Sequence, residues 1–355
     1  MRASDGTDTP DAVYFLCTNR NKKSVTVDIS RAEGQDIIRR LAAESDVLIE
    51  NYKVGTLQRY GLSYDDLKAI NPRLIYCSLT GFGQDGPYAS RPGYDLLFQG
   101  MAGLMSITGE PDGAPGAGPQ KVGIAVADVL SGMYAALAIT AAISHRERTG
   151  VGQFIDISLL DCMVAFGSSA ALTWLHAGTI PKRWGTAHPQ IAPYQTFEVA
   201  DGHMILAIGS DSQFENFCAA AGDRELAADS RFKKNAGRVK DRAELIATIG
   251  AIMKKKTKGE WQRLLDEQGV PAGPINNMKE VFEEPQVKHR GLHMEVEHAR
   301  AGKVPSLASP MRLSATPVSY RSGPPTLGQH TDSVLAETLG LSEGEIAALR
   351  SAGVT

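Results

Sequence analysis

The residue best placed for chemistry is Asp161, which lies where an apolar strand pattern gives way to a helical one. Residues 155–159 alternate apolar and polar side chains, as in a strand with one buried face, and a helical spacing follows. The helix dipole keeps a carboxylate in the first turn ionised, and free backbone N–H groups beside it can stabilise an oxyanion. Asp161 is therefore a candidate covalent nucleophile. Ser158 and Asp161 also have the spacing of a capping box, so a structural role for this carboxylate stays open.

Two strand–helix–strand units precede Asp161. Strand patterns are found over 24–28, 47–50 and 74–79, and helical patterns over 32–43 and 63–71. Successive crossovers of this kind predict an α/β fold in which a parallel sheet has helices on both faces. The next stretch, to residue 123, is rich in glycine and proline, and such loops at strand ends are where α/β folds place ligands. It contains neither a P-loop nor a dinucleotide-binding glycine pattern.

A second region begins near Thr196, after a linker rich in proline. It starts with a predicted hairpin that turns at Asp201–Gly202 and continues as charged helices, and the pattern returns to strand and loop near residue 302. These changes of pattern divide the chain into residues 1–195, 196–301 and 302–355, and the middle part combines strands and helices as in the α+β class.

Composition limits the classes of partner. The chain has 355 residues, is 43% hydrophobic and carries a formal net charge of −3, so there is no chain-wide electrostatic reason to bind nucleic acid or an anionic membrane. Four widely spaced cysteines without a C-x-x-C pair predict reduced thiols in a cytoplasmic protein, and no metal site is predicted. The apolar, alanine-rich stretch 123–143 is predicted to be a buried helix rather than a membrane span.

Several segments carry a resemblance to a known family. In chain order they are NRNKKSVTVD, DVLIENYKVGTLQRYGLSYDDL, NPRLIYCSLTGFGQDGPY, RPGYD, HRERTGVGQFIDISLLD, RWGTAHPQIAPYQTF, GVPAGPINNMKEVFEEPQV and LGQHT. They resemble the class III CoA-transferases (CaiB/BaiF), the group of formyl-CoA, carnitine and bile-acid CoA-transferases, over essentially the whole chain. RWGTAH, GPINNMKEVF and LGQHT are most similar to the branch that transfers CoA from succinyl-CoA to glutarate or hydroxymethylglutarate.

The resemblance implies a Rossmann-like large domain made of residues 1–195 and 302–355, a smaller inserted α+β domain made of residues 196–301, and an interlocked homodimer. It also implies that Asp161 attacks the thioester of an acyl-CoA, with succinyl-CoA as the expected donor. A mixed aspartyl anhydride and then an aspartyl-CoA thioester would preserve the acyl-transfer potential until CoA passes to a carboxylic acid, expected to be dicarboxylic. Coenzyme A is thus a substrate, and no tightly bound cofactor is expected. The glycine-rich loops are candidate lids that exclude water.

The phosphates of CoA require local cations in a slightly acidic protein. By the resemblance, the CoA-binding residues are Lys22, Lys23, Asn51, Tyr52, Arg59 and Tyr94. Structural roles without CoA would also explain the cations among them, since the lysines can belong to a solvated turn and the arginine can be a helix-end cation. Tyr94 matches a tyrosine near the acyl group in the formyl-CoA branch, although simple packing would also account for it.

Three further residues are expected to contact the acyl substrate. Tyr14 matches another tyrosine near the acyl group in the formyl-CoA branch. Arg183 and His188 are hypothesised to bind the distal carboxylate of a dicarboxylic acyl group, because arginine makes bidentate contacts with carboxylates. A structural role for a histidine in a linker stays open.

The chain departs from the family at its start, because members normally open with a strand and a helix that carry CoA-contacting groups. Either the start of the chain is truncated, or this strand and part of the CoA site are missing, and we expect weakened or absent activity if no further sequence precedes the chain as given. Two alternatives therefore stay open. One is a CoA-binding pseudoenzyme. The other is an acyl-CoA racemase, which shares the fold but uses a GHD histidine where this chain has Tyr94, together with an aspartate that Asp128 retains. A tyrosine with a pKa near 10 is a poor proton shuttle, so Tyr94 at this position favours the transferase over the racemase.

Overall fold

The computed structural model describes residues 8–355, so the first seven residues of the predicted large domain lie outside it. The helices are α1 Val13–Thr18, α2 Ala32–Ala43, α3 Tyr64–Ile70, α4 Asp95–Met101, α5 Leu104–Ile107, α6 Val126–Thr149, α7 Leu159–Phe166, α8 Ser168–Ala177, α9 Asp211–Ala221, α10 Arg224–Ala228, α11 Asn235–Lys240, α12 Arg242–Met253, α13 Lys258–Glu267, α14 Met278–Glu283, α15 Pro285–His289, α16 Thr331–Leu339 and α17 Glu343–Ser351, with a 3₁₀ helix at Gln58–Tyr60. The strands are β1 Val47–Glu50, β2 Ile75–Thr80, β3 Phe154–Ser158, β4 Tyr194–Val199, β5 Gly202–Ala207, β6 Ala272–Pro274, β7 His293–His298 and β8 Gly302–Leu307.

The chain divides into two compact units. The first contains the described part of Met1–Phe98 together with Ala127–Met163 and Met278–Thr355, and the second contains Gln99–Val126 and Val164–Asn277. The domain boundaries expected from the sequence stay a prediction.

A parallel sheet organises the first unit. Strands β1, β2 and β3 lie side by side in that order and all run in the same direction. The central strand is buried on both faces, as a parallel strand between two neighbours requires, which explains its nearly continuous apolar sequence. The predicted parallel sheet and α/β fold are confirmed.

Residues 24–28, predicted to be a strand, have no place in this sheet. The Asp28 N–H donates to the Val354 carbonyl oxygen at 2.8 Å, and the Thr26 N–H donates to the Thr331 hydroxyl at 3.0 Å. The prediction of a strand was wrong, because alternation predicts an extended backbone but does not say whether a neighbouring strand will pair with it.

Helix α6 also differs from its prediction. It buries one face, which is built mainly from alanine and serine, whereas Val129, Met133 and Leu137 are exposed. The expectation of a wholly buried helix was therefore wrong for this chain. Within residues 8–355, α6 has the length and composition of a membrane-spanning helix, with a mean hydropathy of 1.7, and α7 and α8 do so only if taken as one span despite a 74° bend. Core helices can have the same length and composition.

The second unit is built on an antiparallel sheet of β4, β5 and β6. The predicted hairpin is confirmed, with Asp201 between the strands and Gly202 at a φ of +139°, a conformation that favours glycine. Helices α9, α12 and α13 pack aromatic and aliphatic side chains against this sheet, and Trp261 is fully buried in the resulting core.

Candidate active site

The carboxyl ends of the three parallel strands form the edge beside which Asn51, Tyr52 and Asp161 lie. Asn51 and Tyr52 follow β1, the glycine-rich segment 81–86 follows β2, and α7 with Asp161 follows β3 directly. Because parallel strands end at the same edge of a sheet, these three segments lie along that edge. In α/β folds this is the usual position of a ligand site.

Asp161 lies in the first turn of α7 and is exposed. Its N–H donates to the Ser158 hydroxyl oxygen at 3.2 Å, and the N–H of Leu160 donates to the carbonyl oxygen of Gly81 at 3.1 Å. Of the two hydrogen bonds of a capping box, only the one from the Asp161 N–H to Ser158 is present. The Asp161 carboxylate makes no hydrogen bond or ion pair within the described chain. The carboxylate is therefore free to react.

A second carboxylate, that of Asp128, occupies the first turn of α6. Burial raises the pKa of the Asp128 carboxyl, and the nearby charge of Asp95 raises it further. The Asp95 carboxylate accepts a hydrogen bond from the Ala127 N–H at 2.7 Å, so it caps the start of the same helix. From the sequence, Asp128 was considered only as the racemase aspartate.

The starts of α6 and α7 adjoin each other. The buried Ser131 of α6 lies beside the Cys162 thiol of α7, and its hydroxyl lowers the thiol pKa, although burial has the larger effect and raises it. Asp128 precedes Ser131 by three residues, and Asp161 directly precedes Cys162. Both aspartates therefore lie at the N-terminal ends of neighbouring helices.

Close packing holds the loop that carries Tyr94. A Cβ atom on Gly93 would lie 2.3 Å from the ring of Phe98, and one on Gly81 would lie 2.8 Å from it. Phe98 is fully buried, so only glycine fits at either place without displacing the ring. Tyr94 itself is 85% exposed, next to the Asp95 cap of α6.

The predicted CoA-binding cations are less closely grouped. Arg59 lies in the 3₁₀ helix shortly after Asn51, with its guanidinium 5.9 Å from the Tyr60 ring centre. Lys22 donates to the side chain of Asn19 at 3.1 Å, and Lys23 forms an ion pair at 3.1 Å with a glutamate of α16. Both contacts are exposed, so they hold the lysines weakly. Within residues 8–355, no hydrogen bond or ion pair joins either lysine to Arg59.

The other predicted residues of the first unit are accessible. Tyr52 is half exposed, and the Asn51 side-chain amide donates to the carbonyl oxygen of Leu79 in β2. Tyr14 is exposed on α1. The structure thus brings Asn51 and Tyr52 to the edge that carries Asp161, while Tyr14 lies on a separate helix.

Arg183 and His188 belong to the second unit. The Arg183 guanidinium forms an ion pair with Asp112 and donates to the carbonyl oxygens of Glu110 at 3.2 Å and Ser106 at 3.5 Å. Its side chain is only 13% exposed, so these contacts favour a structural role over capture of a substrate carboxylate. They tie the linker to the loop over residues 106–112.

His188 is held by its own loop. Its Nδ1 accepts a hydrogen bond from the Gln190 N–H at 3.1 Å, and its ring centre lies 5.5 Å from that of Tyr194. Because Nδ1 accepts, the neutral ring carries its proton on Nε2, which is left as a donor. His188 and Lys182 line a cavity of about 470 Å³.

Within 8–355, no group of three or more histidine, cysteine, aspartate or glutamate side chains is arranged to hold a metal ion.

Comparison with known proteins identifies the family. The profile of CoA-transferase family III matches residues 1–331. A succinate–glutarate CoA-transferase of Agrobacterium fabrum is 43% identical over 95% of this chain and 83% of its own length. The human succinyl-CoA:glutarate CoA-transferase is 43% identical over 97% of this chain and 78% of its own length.

Solved structures give the same result. The crystal structure of a CaiB/BaiF family protein from Brucella suis has a TM-score of 0.83 and 44% identity, covering 95% of this chain and 90% of that one. A protein from Mycobacterium tuberculosis has a TM-score of 0.79 and 31% identity, covering 90% and 85%. The mixed α/β fold with its parallel sheet, the free carboxylates at the sheet edge and these similarities agree: the chain belongs to CoA-transferase family III and is a CoA-transferase.

Proposed function

We propose that this protein transfers CoA from succinyl-CoA to a dicarboxylic acid of about the size of glutarate. The relatives at 43% identity, from Agrobacterium fabrum and Homo sapiens, are named for the succinate and glutarate pair. A more distant relative from Chloroflexus aurantiacus, 35% identical, is named for succinyl-CoA and D-citramalate. These names share succinate or its CoA ester and a second carboxylic acid. The proposed acceptor class follows from that shared chemistry.

A carboxylate nucleophile would carry the reaction. Attack of an aspartate oxygen on the thioester carbonyl forms a mixed anhydride and releases CoA as the thiolate, which then attacks the aspartyl carbonyl and releases succinate. The incoming acid attacks the resulting aspartyl-CoA thioester, which forms a second mixed anhydride and releases the thiolate again. The thiolate then attacks the acyl carbonyl of the incoming acid and frees the aspartate, so no acyl-transfer potential is lost to water. Backbone N–H groups at a helix start can stabilise the oxyanion of each step.

The structure offers two residues for this role. Asp161 is the nucleophile predicted from the sequence, and its carboxylate has no partner within the described residues. Asp128 is favoured by three observations: it begins a longer helix, it is partly desolvated, and Asp95 lies close to it. Desolvation makes a carboxylate a stronger nucleophile, so we propose Asp128 as the second candidate and expect the variants to separate them.

The test is an acid-panel assay with succinyl-CoA on the wild-type protein and on Asp128→Asn and Asp161→Asn. The variant that lacks the nucleophile should lose the reaction by about 10³-fold or more, since removal of a covalent step is not compensated elsewhere. Hydroxylamine trapping followed by mass spectrometry should place the adduct on the same aspartate. Transfer at the wild-type rate in both variants would refute the aspartyl mechanism. Exchange of the α-proton without CoA transfer would favour a racemase, and CoA binding without turnover would favour a pseudoenzyme.

We also propose that the enzyme works as a homodimer in the cytoplasm, with acyl-CoA and small carboxylic acids as its partners and without nucleic acid or membrane binding. The exposed apolar side chains along α6 support a second copy as their cover. Sedimentation of the purified protein should show twice the mass of one chain, and a monomer at micromolar concentration would contradict the dimer.

A further inference from the structure

A row of polar side chains crosses the parallel sheet at the end of β1. Glu50 pairs in register with Ser78 of β2, and Ser78 pairs in register with Asp156 of β3. Residues in register on neighbouring strands point to the same face, so the three side chains form one line across the sheet.

Hydrogen bonds join this line to the loops at the sheet edge. The Glu50 carboxylate accepts from the Tyr52 N–H at 2.7 Å and from the Ser78 hydroxyl. Gln84 completes the line, since its side-chain amide donates to the Ser78 oxygen at 2.8 Å and its backbone N–H donates to Asp156 at 3.0 Å. An ionised carboxylate only accepts, so Ser78 must donate to Glu50 and accept from Gln84. The donor and the acceptor of each hydrogen bond from Gln84 through Ser78 to Glu50 are therefore fixed.

The line runs from the buried centre of the sheet at Ser78 to its surface at Asp156, which is exposed. Ser78 is 2% exposed, and the Glu50 and Gln84 side chains are half-buried. Burial raises the pKa of the Cys77 thiol to about 11, with further contributions from the charges of Glu50 and Asp156. The charge of Glu50 thus affects the pKa of a buried thiol of β2. Ser78 is buried in the same strand, and a hydrogen bond to a carboxylate is stronger there than in water.

The backbone N–H of Tyr52 needs a hydrogen-bond acceptor from a side chain, because it lies beyond the end of β1. Strand β1 ends at Glu50, so the backbone beyond it leaves the sheet ladder. A backbone N–H that leaves a ladder needs another acceptor, and the Glu50 carboxylate supplies one two residues back along the chain. The direction of the chain after β1 is set by this bond.

We propose that Glu50 is a positioning residue of the acyl-CoA site. It fixes the backbone of Asn51 and Tyr52, and through Ser78 and Gln84 it couples that segment to the glycine-rich loop after β2. This inference rests on the proposed function and on the expectation from the family resemblance that Asn51 and Tyr52 contact CoA. Glu50 acts through them and takes no part in the acyl-transfer steps.

The experiment compares Glu50→Ala with Glu50→Gln. The alanine variant loses both acceptors, so the KM for succinyl-CoA and the Kd for CoA should rise about tenfold, the effect of one charge-assisted hydrogen bond, while kcat changes less than about threefold. The glutamine oxygen can still accept from Tyr52, and its amide can donate to Ser78, so KM should stay within about threefold of wild type. Hydrogen exchange at the Tyr52 amide should be faster in Glu50→Ala alone.

The control is Glu44→Ala, because the Glu44 side chain is exposed after α2 and makes no hydrogen bond or ion pair within residues 8–355. A Glu50→Ala enzyme with the KM of this control, or with a reduced kcat at unchanged KM, would overturn the inference while the proposed function stands. A wild-type chain that binds no CoA would overturn both. If Glu50→Ala does not fold, a Glu50→Gln enzyme with the wild-type amide exchange but a tenfold higher KM would equally refute a positioning role.

Discussion

Replacing Arg238 by alanine should destabilise the second unit strongly. This side chain has no solvent exposure, yet it carries a charge. Its guanidinium donates to the carbonyl oxygens of Ala192 and Phe232, both at 2.8 Å, and to the Asp211 carboxylate at 2.9 Å. The Phe214 ring centre lies 4.8 Å from the guanidinium carbon. One residue thus joins the linker, the start of α9 and the segment before α11.

The magnitude follows from what the substitution leaves behind. Each buried carbonyl oxygen that loses its donor costs about 1–3 kcal/mol, and removing one partner of a buried ion pair costs about 3–5 kcal/mol. These costs overlap, and Asp211 retains a 3.1 Å contact with Lys234 near the surface. We therefore expect Arg238→Ala to lower the free energy of unfolding by about 3–5 kcal/mol.

The assay is urea denaturation followed by tryptophan fluorescence, since Trp261 is fully buried in the same core. The matched control is Arg231→Ala, in which an exposed arginine loses ion pairs with Asp229 and Glu244. Solvent screens those pairs, so the control should unfold nearly like the wild type. An equal loss of stability in the two variants would refute the argument that burial makes the Arg238 contacts strong.

Three further predictions concern the first unit. Ellman's reagent at pH 8 should modify one thiol rapidly, that of Cys17, because the other three cysteines are buried. With Asp128 as the nucleophile, kcat/KM should fall on acidification at a higher pH than for an ordinary aspartate, since its pKa is raised by burial and by Asp95; Asp95→Asn should move this acid limb to lower pH. Gly93→Ala should reduce transfer about tenfold or more, because the new Cβ would displace Phe98 and the loop beside it.

Each of these has an outcome that would contradict it. A second thiol that reacts as fast as Cys17 in the native protein would mean that a buried cysteine is accessible. An acid limb that Asp95→Asn does not move would remove Asp95 as a cause of the raised pKa. For Gly93→Ala the control is Gly123→Ala, where a Cβ would meet no atom within 4 Å, and equal activity of the two variants would disprove the steric argument.

The sequence by itself determined the local structure well. The strand patterns at β1 and β2, the alternating pattern of β3 and the helical spacing of α2 all appear close to the predicted positions. These features depend on interactions within a few residues, or on which face of an element is apolar, and both can be read from spacing. The family was also recognisable, because its motifs recur in order.

Only the tertiary structure decided which polar groups are free and which are engaged. Arg183 has the right chemistry for a carboxylate ligand, but its partners lie in the loop 106–112, far along the chain. The line from Glu50 to Asp156 likewise depends on the register of three strands. Hydrogen-bond partners separated by tens of residues follow from how elements pack, and a periodic pattern carries no record of that distance.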